Sequence, residues 1–276
     1  MKKYSFILCL VSLFVLVACT PQDHLTILHT NDTHSQIEPK ANNQGGYARR
    51  MGLIKEERRA DKYLLLVDAG DFCQGTPYFN YFHGRVELDA MNRMGYDAAT
   101  LGNHEFDNGI DTLAAVLKTA NFPIVCANYD FSGTVLEDIV KPYTIVRKGN
   151  LKIGIFGLGC QPKGIISDKN FAPAVYLEPY PAAQATADTL RAQKCDIVVC
   201  LSHMGTYGKA EEDVCDVQLA KQTRGIDVII GGHTHKLYDN LRVANLDGDS
   251  IPVCQMGKSG AYLGKIVLNL GGKNEK

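Results

Sequence analysis

Short apolar segments that alternate with helical patterns limit the fold of this chain more than any other feature of its sequence. The segments are rich in Val, Ile and Leu, and most are followed by Gly, Asn or Asp, as is typical of buried strands. We predict strands at Leu25–His29, Tyr63–Val67, Ala98–Leu101, Ile124–Ala127, Tyr143–Val146, Ile153–Leu158, Ile197–Leu201, Val228–Ile230, Ile251–Gln255 and Lys265–Leu270. Strands that alternate with helices favour an α/β fold in which helices cover the sheets.

Three segments between these strands have the apolar spacing of amphipathic helices. In each one the apolar residues recur at i, i+3, i+4 or i+7, which places them on one helical face. The three sets are Tyr47, Met51 and Ile54; Val86, Ala90, Met91 and Met94; and Ile110, Leu113, Ala114 and Leu117. We expect each of these faces to pack against a sheet.

Composition and charge are those of an ordinary globular protein. Of the 276 residues, 45% are hydrophobic and 21% are charged, and Lys plus Arg total 29 against 30 for Asp plus Glu. The resulting net charge of -1 gives no indication of a nucleic-acid partner. No Pro/Ser-rich linker interrupts residues 25–270, so we predict one domain there, followed by a polar tail at 271–276.

The first residues have the pattern of an export signal. Lys2 and Lys3 precede an apolar run of about twelve residues, which is too short to span a membrane. The sequence that ends at Cys19 resembles the lipobox of bacterial lipoproteins. We therefore predict a signal peptide at 1–18, lipidation of Cys19, an anchor segment at 19–24 and attachment to a bacterial membrane, on the periplasmic side or the cell surface. A secreted, unanchored protein is the alternative.

The other cysteines, apart from Cys9 in the signal, are scattered singly. No Cys-x-x-Cys spacing occurs, so the sequence indicates neither a structural zinc site nor a thioredoxin-type redox pair. We expect mainly small buried residues, with any disulfide pairing left open, at Cys73, Cys126, Cys160, Cys195, Cys200, Cys215 and Cys254.

Polar residues that can bind metal ions or ligands follow five of the predicted strands. These segments contain His, Asp or Asn, and they are Asn31–His34, Asp68–Asp71, Gly102–Asp107, Ser202–Gly205 and Gly231–His235. In open α/β sheets, ligands bind beyond the carboxyl ends of the strands. We therefore expect these segments to converge although they are far apart in the chain.

Their side chains are suited to metal ions. Imidazole, carboxylate and amide donors without thiolate suit Zn, Mn, Fe or Co, and are a poor set for Ca²⁺. Two pairs of these residues have the spacing i, i+2, namely Asp32 with His34 and His233 with His235. In an extended segment this spacing places both side chains of a pair on one face, so each pair can face one cavity. The donors are too many for one ion and sufficient for two. Two ions ~3.5–4 Å apart with a carboxylate between them form a clamp that hydrolyses phosphate esters.

The motifs NDTH, GD, GNHEFD, LSHMG and GGHTH, in this order, resemble those of the calcineurin-like metallophosphatases. GNHEFDNG and the MNRMGYDA run before it are most similar to the 5′-nucleotidase/2′,3′-cyclic phosphodiesterase branch. The resemblance extends from Leu25 to about Leu270. It implies a four-layer α/β/β/α sandwich with a site for two metals at the sheet edges.

The resemblance also implies a role for each site residue. The first metal would be bound by Asp32, His34 and His235, the second by Asn103, His203 and His233, and Asp71 would bridge both. His104 would lie beside the phosphate, oriented by Asp107, and would stabilise the transition state or assist the leaving oxygen. Asn103 could also donate a hydrogen bond to a phosphate oxygen.

The implied activity is hydrolysis of phosphate monoesters, 5′-nucleotides first among them, by metal-activated water. The alternatives are a 2′,3′-cyclic nucleotide phosphodiesterase, a nucleotide-sugar pyrophosphohydrolase and, in another class, a metal-binding subunit that docks a separate nucleoside-binding domain. Enzymes of the branch usually carry a second, C-terminal domain for the nucleoside, and this sequence ends before it. We therefore expect either a separately encoded partner domain or a broader range of esters.

Overall fold

A computed structural model describes residues 22–208, 210 and 213–270. The predicted signal peptide, Cys19 and the polar tail at 271–276 lie outside the described residues, and the domain boundaries stay a prediction. In the part of the chain that is described, no helix is both long enough and apolar enough to cross a bilayer.

Strands and helices alternate along most of the described chain, as the sequence predicts. In chain order the elements are β1 (His24–Thr30), α1 (Tyr47–Ala60), β2 (Leu65–Asp68), α2 (Pro77–Phe82), α3 (Arg85–Met94), β3 (Ala98–Thr100), α4 (Gly109–Leu117), β4 (Ile124–Val125), β5 (Tyr129–Asp130), β6 (Val140–Lys141), β7 (Tyr143–Lys148), β8 (Leu151–Leu158), α5 (Asp168–Phe171), β9 (Val175–Tyr176), α6 (Pro179–Ala192), β10 (Ile197–Ser202), α7 (Asp216–Gln222), β11 (Val228–Ile230), β12 (Leu237–Ala244), β13 (Ser250–Met256) and β14 (Gly264–Asn269).

The strands form two six-stranded mixed sheets and one small ribbon. The first sheet has the order β14-β1-β2-β3-β4-β6, and the second has the order β12-β13-β11-β10-β8-β7. The inner strands of both sheets are parallel, whereas β14, β12 and β7 pair antiparallel with their neighbours. Strands β5 and β9 form the ribbon. Because the inner strands are parallel, their carboxyl ends lie along one edge of each sheet.

Three apolar layers hold the sheets and helices together. The layer between the sheets contains Leu25, Ile27, Leu65 and Val67 from the first sheet, and Ile153, Ile155, Ile197 and Val199 from the second. Helices α1, α3 and α4 cover the outside of the first sheet, through residues such as Ile54, Met91 and Leu113. Helices α6 and α7 cover the second sheet, through residues such as Leu190 and Leu219. The predicted α/β/β/α sandwich is confirmed.

All ten predicted strands are present, but the sequence did not indicate β12 or the two-residue strands β5, β6 and β9. Of these four, β12 is the longest. This strand is at the edge of its sheet, where it pairs with β13, and five of its eight residues are exposed. An edge strand with solvent on several sides has no continuous apolar run, which is the pattern that identified the buried strands. All seven cysteines of the described chain are buried and free, as expected of core residues.

The two sheets approach each other closely at Gly157 in β8. A Cβ atom at this position would overlap the carbonyl oxygen of Val125 in β4 and the hydroxyl of Thr100 in β3. The Thr100 hydroxyl donates a hydrogen bond to that same oxygen at 2.8 Å, so neither group can easily move aside. A glycine at 157 therefore sets the spacing of the sheets, and with it the spacing of their carboxyl edges.

We predict that Gly157→Ala destabilises the protein by about 1–3 kcal/mol, the usual cost of overpacking a core. Gly52→Ala is the matched control, because Gly52 lies in α1 with nothing within 4 Å of an added Cβ. That control should stabilise the protein by about 0.5–1 kcal/mol through helix propensity. Urea unfolding measures both values, and an unchanged midpoint for Gly157→Ala would contradict the close contact.

Candidate metal centre

Loops that follow β1, β2, β3, β10 and β11 meet where the carboxyl edges of the two sheets lie side by side. Three of these strands belong to the first sheet and two to the second. All seven predicted ligands lie on these loops, namely Asp32, His34, Asp71, Asn103, His203, His233 and His235. The layer between the sheets thus joins residues that are some 200 positions apart.

Two buried carboxylates lie at the centre of the cluster, with imidazoles around them. Asp32 Oδ1 lies 3.3 Å from His235 Nε2, 3.8 Å from His203 Nε2 and 3.9 Å from His34 Nε2. Asp71 Oδ2 lies 3.1 Å from His203 Nε2 and 4.0 Å from His34 Nε2. Four residues each place one ligand atom within 4.8 Å of those of the other three, and they are Asp32, His34, Asp71 and His235. This spacing is short enough for shared metal ions.

The other two predicted ligands adjoin this group on the side of His203. His233 Nδ1 lies 3.0 Å from Asn103 Oδ1, and the rings of His203 and His233 are 5.3 Å apart. Since His203 also contacts Asp71, the seven side chains form one continuous cluster. The convergence that the strand-end positions predicted is therefore present.

The ring of His203 shows that the cluster fits cations. Its Nδ1 donates a hydrogen bond to the carbonyl oxygen of Ala69 at 2.7 Å, so Nε2 carries the lone pair of the neutral ring. Nε2 is buried and has no hydrogen-bond partner among the described residues, although Asp71 Oδ2 is 3.1 Å away. A lone pair that faces a carboxylate is repelled unless a proton or a metal cation lies between them. A backbone carbonyl that accepts from the other ring nitrogen is typical of metal-binding histidines.

The pKa of His203 indicates that the centre of the site attracts positive charge. Burial alone would lower the pKa of His203, but the carboxylates of Asp71 and Asp32 outweigh it and raise that pKa to about 10. Burial lowers the pKa of His34 and lowers that of His233 to about 4, so these two rings are neutral near pH 7. Neutral imidazoles beside buried carboxylates suit Zn, Mn, Fe or Co. The donor set therefore fits the two divalent ions that the sequence predicted.

Five of the seven predicted ligands have a backbone conformation that side chains rarely adopt. Their φ angles are positive: 47° at Asp32, 47° at His34, 54° at Asp71, 73° at His233 and 58° at His235. Such conformations cost about 1–3 kcal/mol each and concentrate at functional sites. This backbone conformation directs side chains from separate loops towards one point. Nothing in the sequence pattern indicated it.

Asn31 fixes Asp32 to the second sheet, a role that the sequence patterns did not assign. Its Nδ2 donates hydrogen bonds to Asp32 Oδ2 at 2.6 Å and to the Gly257 carbonyl oxygen at 3.0 Å. Its Oδ1 accepts the Met256 N–H at 2.8 Å. The only sequence feature that could have indicated this role is the position of Asn31 next to Asp32 in the NDTH motif.

Gln255 supports the loop that carries His233 and His235. Its side chain is fully buried, and Nε2 donates to the Gly232 carbonyl oxygen at 2.7 Å. Its Oε1 accepts the Lys236 N–H at 2.8 Å and the Thr234 hydroxyl at 3.0 Å. The only indication of this role in the sequence was a polar amide near the end of an apolar strand.

His104 and Asp107 lie at the open side of the cluster. His104 begins a 3₁₀ turn, and its Nδ1 donates to Asp107 Oδ2 at 2.9 Å. This hydrogen bond raises the pKa of His104, in contrast to the lowered values of His34 and His233. The ring of His104 is 5.4 Å from that of His34. The side chains of His104 and Asp107 are 31% and 39% exposed, whereas Asp32 and His203 are fully buried.

Comparison with known proteins agrees with this geometry. A family model described as calcineurin-like phosphoesterase matches residues 25–237. The chain belongs to this family. A snake venom 5′-nucleotidase from Gloydius brevicauda is 36% identical over 270 residues, which cover 87% of this chain and 44% of the relative. The trifunctional nucleotide phosphoesterase protein YfkN from Bacillus subtilis is 34% identical over 275 residues, covering 88% of this chain and 18% of the relative.

Solved structures of the calcineurin-like family share the architecture. The 5′-nucleotidase precursor from Thermus thermophilus superimposes with a TM-score of 0.81 at 36% identity, over 89% of this chain and 51% of that structure. The predicted fold and family are confirmed. The chain spans about half the length, or less, of the curated relatives it matches.

Removal of metal should destabilise this calcineurin-like chain, because the carboxylates of Asp32 and Asp71 would stay buried without their cations. An ion present at a hundred times its dissociation constant stabilises the folded state by about 2.7 kcal/mol. We predict that a chelator lowers the unfolding midpoint, and that Zn²⁺ or Mn²⁺ restores it better than Ca²⁺. Differential scanning calorimetry measures the shift, and equal midpoints with and without chelator would contradict the metal site.

Proposed function

We propose that this chain is a metal-dependent phosphoesterase that hydrolyses phosphate monoesters. The observation that carries the proposal is the convergence of seven donor side chains around two buried carboxylates, next to an exposed His–Asp pair. Membership of the calcineurin-like family supports it. When bound, two divalent cations supply neutralisation of phosphate charge and a lowered pKa of coordinated water.

We propose two sets of ligands that share one carboxylate. Asp32, His34 and His235 hold the first cation, and Asn103, His203 and His233 hold the second. Asp71 belongs to both sets, and its Oδ2 lies near His203 of the second set and His34 of the first. The short distance between His233 and Asn103 supports the second set.

In this proposal His104 acts on the substrate and Asp107 orients it. The hydrogen bond to Asp107 occupies Nδ1 and leaves Nε2 as the nitrogen that faces the phosphate. A raised pKa keeps a larger fraction of the ring protonated, so it can stabilise negative charge or donate a proton to the leaving oxygen. Asn103 can also donate to a phosphate oxygen. The ester approaches from the side of His104 and His235, because these side chains are 31% and 34% exposed.

We propose nucleotides as the substrate class, 5′-nucleotides first, because the relatives are named for nucleotide substrates. Export and a lipid anchor at Cys19 belong to the same proposal. Both rest on the signal-like sequence before residue 20.

Hydrolysis assays on the purified, metal-supplemented chain test the activity. We expect turnover of an aryl phosphate, and faster turnover of a nucleoside 5′-monophosphate than of a 2′,3′-cyclic nucleotide or a nucleotide-sugar. A preference for either of the last two would favour a phosphodiesterase or a pyrophosphohydrolase. No turnover with two ions bound would favour the metal-binding subunit that docks a separate domain.

We predict that His104→Ala retains both metals and loses about 10²–10⁴ in rate, as is usual for a general acid or charge-stabilising group. His24→Ala is a suitable control, because His24 lies at the other end of β1 beside Asp23. Steady-state kinetics combined with elemental analysis makes the comparison. Unchanged turnover in His104→Ala would remove the role proposed for this residue.

A further inference from the structure

Glu105 lies in the middle of the GNHEFD segment and has no role in the site described so far. It is in the 3₁₀ turn between His104 and Phe106, and it is only 3% exposed. A buried carboxylate is costly unless hydrogen bonds or cations compensate it. The partners of Glu105 therefore indicate what the residue does.

The carboxylate of Glu105 accepts three backbone hydrogen bonds from two of the metal-site loops. Oε2 accepts the N–H of Gly102 at 2.6 Å and that of Asp71 at 2.9 Å. Oε1 accepts the N–H of Cys73 at 3.0 Å. Glu105 thus joins the loop after β2, which carries Asp71, to the loop after β3, which carries Asn103.

These two loops touch through their backbones. A Cβ atom on Gly102 would overlap the carboxylate of Asp71, and one on Gly70 would lie 2.6 Å from the Gly102 nitrogen. The N–H of His104 donates to Asp71 Oδ1 at 2.9 Å. Asp71 is therefore fixed at its backbone N–H by Glu105 and at Oδ1 by His104, while Oδ2 lies towards His203.

We propose that Glu105 is a positioning residue that sets the bridging carboxylate of Asp71 and the amide of Asn103 for metal binding, without binding metal itself. This inference rests on the proposed dimetal function. Both oxygens of Glu105 are already engaged with backbone donors, and Asp71 needs support because its φ of 54° is strained. A carboxylate suits the position because it only accepts hydrogen bonds, and all three partners are donors.

Glu105→Gln tests the proposal, because one oxygen of the carboxylate is replaced by an NH₂ group that opposes the backbone N–H groups. We expect the affinity for metal to fall about tenfold to a hundredfold, as for other residues that orient ligands. The measurement is competition between the metal-free full chain and a chromophoric chelator for Zn²⁺ and for Mn²⁺. At saturating metal, kcat should recover to within a few fold of the wild-type value, with an unchanged KM for the ester.

Glu87→Gln is the matched control. Glu87 is buried, like Glu105, but among the described residues its carboxylate accepts a hydrogen bond from the Ser35 hydroxyl and none from the backbone of these two loops. We expect its metal affinity to stay within about twofold of the wild-type value.

The outcomes separate this inference from the proposed function. Wild-type metal affinity in a folded Glu105→Gln variant would overturn the positioning role, even if that variant were less stable. If Glu105→Gln fails to fold, Glu105→Asp replaces it in the test, because aspartate keeps the charge but is too short to reach both loops. Wild-type metal affinity in Glu105→Asp would equally overturn the positioning role. A wild-type chain that binds fewer than two ions would instead overturn the dimetal function.

Discussion

The carboxylates of Asp32 and Asp71 are the constraint on which the rest of the structure depends. Both are buried, and a buried charge without compensation is expensive. Hydrogen bonds from Asn31 and from the His233 N–H satisfy Asp32, and one from the His104 N–H satisfies Asp71. The imidazoles around them complete a site for cations. The strained φ angles are tolerated because this environment holds the loops in place.

The apolar layer between the sheets determines where these groups meet. Residues such as Ile27 and Val199, on opposite sheets, pack in that layer and bring the two carboxyl edges side by side. Gly157 permits the close approach, since a side chain there would push the backbone of β4 away. The geometry of the metal centre is thus a consequence of packing that lies well inside the core.

The hydrogen-bond partners of the histidines divide the site into two parts with different chemistry. His203 is fully buried, and its hydrogen bond to a backbone carbonyl is typical of a metal-binding histidine. His104 is partly exposed and hydrogen-bonded to a carboxylate, which raises its pKa and suits it to act on a substrate. The imidazole side chain is therefore suited to metal binding at one position and to contact with a substrate at the other, because its partners differ.

The sequence by itself determined the buried strands, the three helices α1, α3 and α4 that cover the first sheet and the donors at the strand ends, because burial of a strand or helix face imposes a periodic apolar pattern that can be read locally. It did not indicate the edge strand β12, which is largely exposed. Tertiary structure alone decided the left-handed backbone at Asp71 and the contacts of Gln255 and Glu105. Such features depend on groups that are distant in the chain and adjacent only after the two sheets have packed.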